Sequence, residues 1–148
     1  MRIRYVIMYK LKNLKNIEDI VQICRANNIK PMYIQREDIE IPNIEGILYY
    51  RDIEEAYKSI DDGNIRYVVL ETYGDKYVNE VDLSSSDIAI IVGAEDIGIP
   101  KDELVKIDSS RVQVVRIPMN IQGTSYNVVT SLVMLITEVM FQEMMKVS

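Results

Sequence analysis

Residues 87–100 read DIAIIVGAEDIGIP. The run 87–93 is the most apolar stretch of the chain that turn residues close off at its carboxyl side. Such a run reads as a strand covered on both faces, which is the property of a central strand in a parallel sheet. A glycine turn follows it. Pro100 then precedes a short helix expected from Lys101 to about Ile107.

Working outward, strands and helices alternate. Residues 2–9 (RIRYVIMY) are rich in β-branched and aromatic side chains and predict a first strand. Residues 16–27 place Ile17, Ile20, Val21 and Cys24 at helical spacing, with Asn16 as the expected cap and Glu18 and Asp19 in the first turn. Strands are expected at 30–35, 46–50, 66–73 and 112–117. A helix capped by Asp52 is expected to run to about Ile60. The last helix is expected from about Ser125 to Met145, with an apolar stripe wide enough for its own sheet and a second subunit. The pattern predicts an α/β fold with a mostly parallel sheet and helices on both faces. No linker or repeat divides it, so residues 1–148 are read as a single domain.

Composition narrows the chemistry. Of 148 residues, 48% are apolar and 27% charged, an ordinary globular balance. There is no histidine and one cysteine, Cys24. A Ser-His-Asp or Cys-His centre is therefore excluded, and a zinc site lacks its usual ligands. No metal is expected. The lone cysteine fits a reducing, cytoplasmic compartment. No apolar run is expected to reach the ~18 residues of a membrane span, because Thr130, Ser131, Thr137 and Glu138 interrupt the best candidate. The net charge is −6, yet residues 1–36 carry +6 and the remainder −12. A basic first third on an acidic body can attract a polyanion locally.

Ligands of parallel sheets bind at the carboxyl ends of strands. Three such ends carry a glycine. They are Leu70-Glu71-Thr72-Tyr73-Gly74, the segment 92–100, and the segment from Ile117-Pro118-Met119 through Gly123-Thr124-Ser125-Tyr126-Asn127. The second is not a phosphate loop: it lacks the Gly-Lys-Ser/Thr ending, and Glu95 and Asp96 would repel a phosphate.

Together the three segments resemble the SpoU/TrmH branch of the SPOUT methyltransferases. The resemblance rests on GAEDIGIP (residues 93–100), IPM (117–119) and SYNVVTSLVMLI (125–136), in the family's order and spacing. It implies an S-adenosylmethionine-dependent RNA methyltransferase with a carboxyl-terminal deep trefoil knot. It also implies a homodimer, with no membrane partner, acting on a ribose 2′-hydroxyl in tRNA or rRNA. By the same resemblance, Leu70, Glu71, Thr72, Gly74, Gly93, Ile117 and Met119 would hold the cofactor. Ser125 and Asn127 would position its methionine end or the acceptor, and Glu95 would order the loops.

The family's first motif, Asn-x-Gly-x-x-x-Arg, aligns with Asn16-Ile17-Glu18-Asp19-Ile20-Val21-Gln22. Asn16 matches, while Glu18 replaces the glycine and Gln22 the arginine. A glutamine amide orients a hydroxyl but accepts no proton at neutral pH. Arg25, one turn further along the helix, is the substitute the sequence offers; otherwise it is an ordinary basic surface residue. Tyr126 is either a base-stacking ring or a packing residue. The candidate catalytic set is thus Asn16, Gln22, Arg25, Glu95, Ser125 and Asn127. A non-catalytic cofactor- or RNA-binding protein of the same fold stands as the alternative, with an enzyme for a different acceptor behind it.

Overall fold

The computed structural model describes residues 2–118 and 127–147. The elements in chain order are β1 (Ile3–Tyr9), α1 (Leu14–Ala26), β2 (Lys30–Ile34), β3 (Leu48–Tyr50), α2 (Ile53–Ile60), β4 (Arg66–Leu70), β5 (Lys76–Tyr77), β6 (Ile88–Gly93), α3 (Lys101–Leu104), β7 (Val112–Arg116) and α4 (Val128–Val147). The strands form one seven-stranded sheet in the order β3-β2-β1-β6-β4-β7-β5. Every pairing is parallel. The stretch 87–93 becomes β6, the middle strand of the seven.

The period-2 alternation of β6 divides the core. Ile88, Ile90 and Val92 face one cluster, and Ala89 and Ile91 face the other. On the first face α1 contributes Ile17, Ile20, Val21 and Cys24, and α4 contributes Val128, Leu132, Leu135, Ile136 and Val139. On the second face α2 brings Ile53 and Ala56, and α3 brings Leu104. Helices therefore cover both faces, as the alternating pattern predicts. The deep trefoil knot is expected in the carboxyl-terminal part of the chain, where residues 119–126 lie outside the described residues.

Local signals misplace some ends. α1 starts at Leu14, two residues before the expected cap. Asn13 is the cap, and its side chain accepts from the Asn16 N–H at 3.0 Å. The repeated LKNLKN offers two equivalent asparagines, and Ile17 is buried either way, so periodicity cannot choose between them. Glu18 and Asp19 consequently fall beyond the first turn. Asp52 does cap α2, accepting from Glu55 N–H at 2.8 Å. α3 is one turn long and stops at Leu104 rather than near Ile107. Among the described residues α4 begins at Val128, and Asn127 occupies its capping position. Its side chain accepts from Val129 N–H at 2.8 Å and its carbonyl from Ser131 N–H at 2.9 Å.

By length and composition, Val128–Lys146 is apolar enough to cross a membrane, with a mean hydropathy of 1.5. This corrects the expectation from run length, since threonine and serine interrupt a run while costing little hydropathy. One face of α4 is committed to the sheet. The other leaves Val133, Met140, Phe141, Met144 and Met145 exposed.

At the amino end of the strands Arg111 closes a polar cluster. Its guanidinium is paired with Asp61 through both amino groups and donates to Tyr57 Oη at 2.7 Å; Tyr67 Oη donates to Asp61 at 3.1 Å. At the carboxyl end, Gly74 lets the chain turn tightly enough to add β5. A Cβ on Gly74 would stand 2.6 Å from the Val115 carbonyl carbon and 2.9 Å from its oxygen. Both are ladder backbone atoms with nowhere to move. Gly74→Ala is expected to destabilise the protein by about 1–3 kcal/mol, the usual range for overpacking. Urea unfolding should show a lower midpoint at an unchanged slope.

Candidate active site

The parallel order brings the carboxyl ends of β1, β6, β4 and β7 to one edge of the sheet. The loop Ala94–Pro100 leaves β6 there and is held from three sides.

On the β4 side, Glu71 reaches under the loop. Its Oε1 accepts from the Ile99 N–H at 2.6 Å. Tyr73 Oη donates to the Ile99 carbonyl at 2.6 Å. The carboxylate fills the space that side chains would occupy at Gly93 and Gly98: a Cβ on either glycine would stand 3.1 or 3.0 Å, respectively, from Glu71 Oε1. Gly98 also has φ +63°, the left-handed region that glycine occupies without strain. Burial pushes the Glu71 carboxyl above its ordinary pKa, with the Ile99 and Thr72 N–H groups opposing.

On the β2 side, Arg36 grips Asp96 through contacts of 2.6 and 3.0 Å and also donates to Asp38 and to the Lys10 carbonyl. Lys12 adds a contact to Asp96 at 3.3 Å. The hydrogen bonds from Arg36 hold the Asp96 carboxyl far below the usual carboxylate range. On the α4 side, the Val128 N–H donates to Glu95 Oε1 at 3.4 Å. One residue earlier, Asn127 Nδ2 donates to Asn16 Oδ1 at 3.4 Å. The structure thus gathers Asn16, Glu95 and Asn127 beside the Gly93 turn, from three elements far apart in sequence.

Other expected residues stand as follows. Leu70 is buried at the end of β4, Thr72 is exposed, and Ile117 is partly buried after β7. Met119 and Ser125 lie outside the described residues. Gln22 is exposed on α1. Arg25 donates to the Glu45 carbonyl, and its Nη2 lies 3.3 Å from where a Cβ on Gly46 would stand. Nine residues of helix separate it from Asn16, about 13 Å at the ordinary rise. Arg36 and Tyr73 carry much of the loop's anchoring and had no sequence signal, because their partners lie 60 and 26 residues away.

A profile of the SpoU rRNA Methylase family matches residues 4–137. The chain belongs to the SpoU rRNA methylase family. No curated protein matches the sequence at a significant level. Among solved structures, a protein described for 2′-OH methylation of C/U34 on tRNA has 13% identity over 98% of each chain, with a TM-score of 0.79. The TrmH/SpoU tRNA modifying enzyme of A. aeolicus has 21% identity over 99% of this chain and 78% of that one, at a TM-score of 0.77. The SpoU methyltransferase AviRb of Streptomyces viridochromogenes, solved with AdoMet, has 16% identity over 97% of this chain and 58% of that one, at 0.80. These likenesses agree with the fold.

Within this candidate site, Glu71 supplies a pH test. Its raised pKa means that its contribution to stability is fully present below the unfolded-state value and is lost as pH rises through the folded-state value. Glu71→Gln keeps an acceptor for Ile99 and removes the buried charge. Its thermal midpoint relative to wild type is expected to be higher at pH 8 than at pH 4. Scanning calorimetry of both proteins across that range checks the sign.

Proposed function

We propose that the protein is an S-adenosylmethionine-dependent RNA 2′-O-methyltransferase acting on tRNA or rRNA. The convergence of Asn16, Glu95 and Asn127 beside the Gly93 turn carries this reading. Family membership supports it.

The residues at the strand ends fit the cofactor. Gly93 carries no side chain and a Cβ there would stand 2.7 Å from Ile99 Cγ1, so what the turn itself can offer a ligand is its backbone amide and carbonyl groups. Flanked by Leu70 and Ile117, such groups suit a neutral, flat adenine better than charged ones would. Leu70, Glu71, Thr72, Gly74, Gly93, Ile117, Met119 and Ser125 would hold it. S-adenosylmethionine supplies an electrophilic methyl group on a sulfonium, whose positive charge the Glu71 and Glu95 carboxylates favour.

A ribose hydroxyl is a poor nucleophile and needs placement and help in losing its proton. Asn16 and Asn127 present amides that orient the hydroxyl. Glu95, which accepts from the Val128 N–H beside that constellation, is the carboxylate assigned here to draw the proton. Gln22 adds a further orienting amide, while Arg25 holds the turn at Glu45. A non-catalytic binder of cofactor or RNA is the second reading, favoured by Gln22 at the arginine position of the first motif.

A second copy of the chain covers the apolar face of α4 in this proposal, which completes the homodimer. Phe141 and Met144, 57% and 66% exposed, are its centre. A cytoplasmic location fits the RNA substrate and the lone buried thiol.

Labelled methyl transfer from S-adenosylmethionine to tRNA and rRNA tests the activity. Wild type is expected to yield 2′-O-methyl nucleosides, with Asn127→Ala about 100-fold slower, the scale of a misplaced reactant. Arg25→Gln is expected within about threefold of wild type, because α1 carries it a long way from Asn16. Cofactor binding by calorimetry with no label in either RNA would select the second reading. Separately, the double variant Phe141→Glu/Met144→Glu is expected to sediment as a monomer where wild type sediments as a dimer.

A further inference from the structure

Three cations at the carboxyl edge of the sheet rest on tyrosine rings. Lys10 Nζ lies 5.6 Å from the Tyr9 ring centre, Lys101 Nζ 5.0 Å from Tyr73, and the Arg116 guanidinium carbon 4.5 Å from Tyr77. These are cation–π distances. None of the three forms an ion pair among the described residues. Arg111 makes the contrast: it also lies over a ring, Tyr57, but it is neutralised by Asp61 and stands at the opposite end of the strands. Lys12, Lys15, Arg36 and Lys58 are likewise each engaged by a carboxylate. In a chain of net charge −6, unneutralised cations held in fixed positions are an unusual resource.

Their placement straddles the site. Lys10 follows β1, Lys101 follows the loop from β6, and Arg116 ends β7. From β1 to β7 is three strand spacings, about 14 Å. Tyr77 pairs in register with Arg116, so β5 exists where it brings the ring to the cation. Lys10 carries a second mark. Its φ is +54°, a region that side-chain-bearing residues rarely adopt. Its backbone is fixed on both sides: its N–H donates to the Ile34 carbonyl at 3.2 Å, and Arg36 donates to its carbonyl at 3.1 Å. Strain of this kind persists where the surroundings impose it, and here it aims a lysine at the rim.

A ring beneath a long cationic side chain restricts its motion and leaves the charge exposed. A phosphate then meets a partly ordered partner with no carboxylate to displace. We propose that Lys10, Lys101 and Arg116, each braced on its tyrosine, are phosphate contacts that seat the RNA backbone across the mouth of the active site. This seat rests on the reading that RNA is the substrate.

The test is binding of fluorescein-labelled bulk tRNA, followed by anisotropy from ~50 to ~300 mM salt, since phosphate contacts are read in the salt slope. Lys10→Gln, Lys101→Gln and Arg116→Gln are each expected to flatten the slope of log K against log salt by about 0.7–0.9, and the triple variant by about 2.1–2.7. Lys58→Gln, whose partner is Glu54 on α2, is expected to leave it unchanged. Tyr77→Leu keeps the charges and is expected to weaken binding severalfold at an unchanged slope. Circular dichroism confirms folding of each exposed variant. The seat is overturned if the triple variant keeps the wild-type slope, if Lys58→Gln matches the rim variants, or if wild type fails to bind tRNA at low salt. Methyl transfer separates the two ideas. Flattened slopes without transfer uphold the seat and overturn the enzyme; transfer with unmoved slopes does the reverse.

Discussion

The burial of β6 on both faces is the constraint from which the rest follows. A strand with Ile88, Ile90 and Val92 against one helical layer and Ala89 and Ile91 against the other has no exposed side on which to display chemistry. Polar function is displaced to its carboxyl end, where the backbone leaves the sheet at Gly93. Its neighbours β1 and β4 end at the same edge because their pairing is parallel. The site is thus a product of sheet topology before it is a product of any individual side chain.

The loop after Gly93 meets two electrostatic regimes. On one flank a carboxylate is stabilised by guanidinium: Asp96 is gripped by Arg36 and kept ionised. On the other, Glu71 sits beneath Ile99 with two N–H groups and no cation, and burial raises its pKa. The first arrangement holds the loop down through charge. The second holds it through hydrogen bonding and packing, and places a carboxyl group against Gly93 and Gly98. The difference explains why a sequence with so many acids crowds several into one turn without mutual repulsion dominating there.

The fold was largely legible because strongly patterned segments admit one answer. The central position of 87–93, the capping of α2 by Asp52 and the two helical layers follow from hydrophobic period and turn chemistry. Failures came where two local solutions were equivalent or where no local signal existed. Asn13 and Asn16 both satisfy the rules for a cap, and tertiary packing selects the first. The two-residue β5 has no strand signal of its own and forms through pairing with β7. In the site, glycines and motif asparagines could be read from the chain. Arg36 meeting Asp96 across 60 residues could not, because that contact is created by the order of strands. The reach of Glu71 under Gly98 is equally a property of the folded edge.

Cys24 has a consequence of a different kind. It faces the core from α1, on the side shared with α4, is fully excluded from solvent, and burial pushes its thiol up to about 12. A thiol so placed is chemically silent while the helix stays docked. It becomes reactive only in molecules whose α1 layer has lifted from the sheet. The chain therefore carries a built-in chronometer: the pace at which this one sulfur is alkylated counts excursions of the layer that carries Asn16, independently of any catalytic turnover.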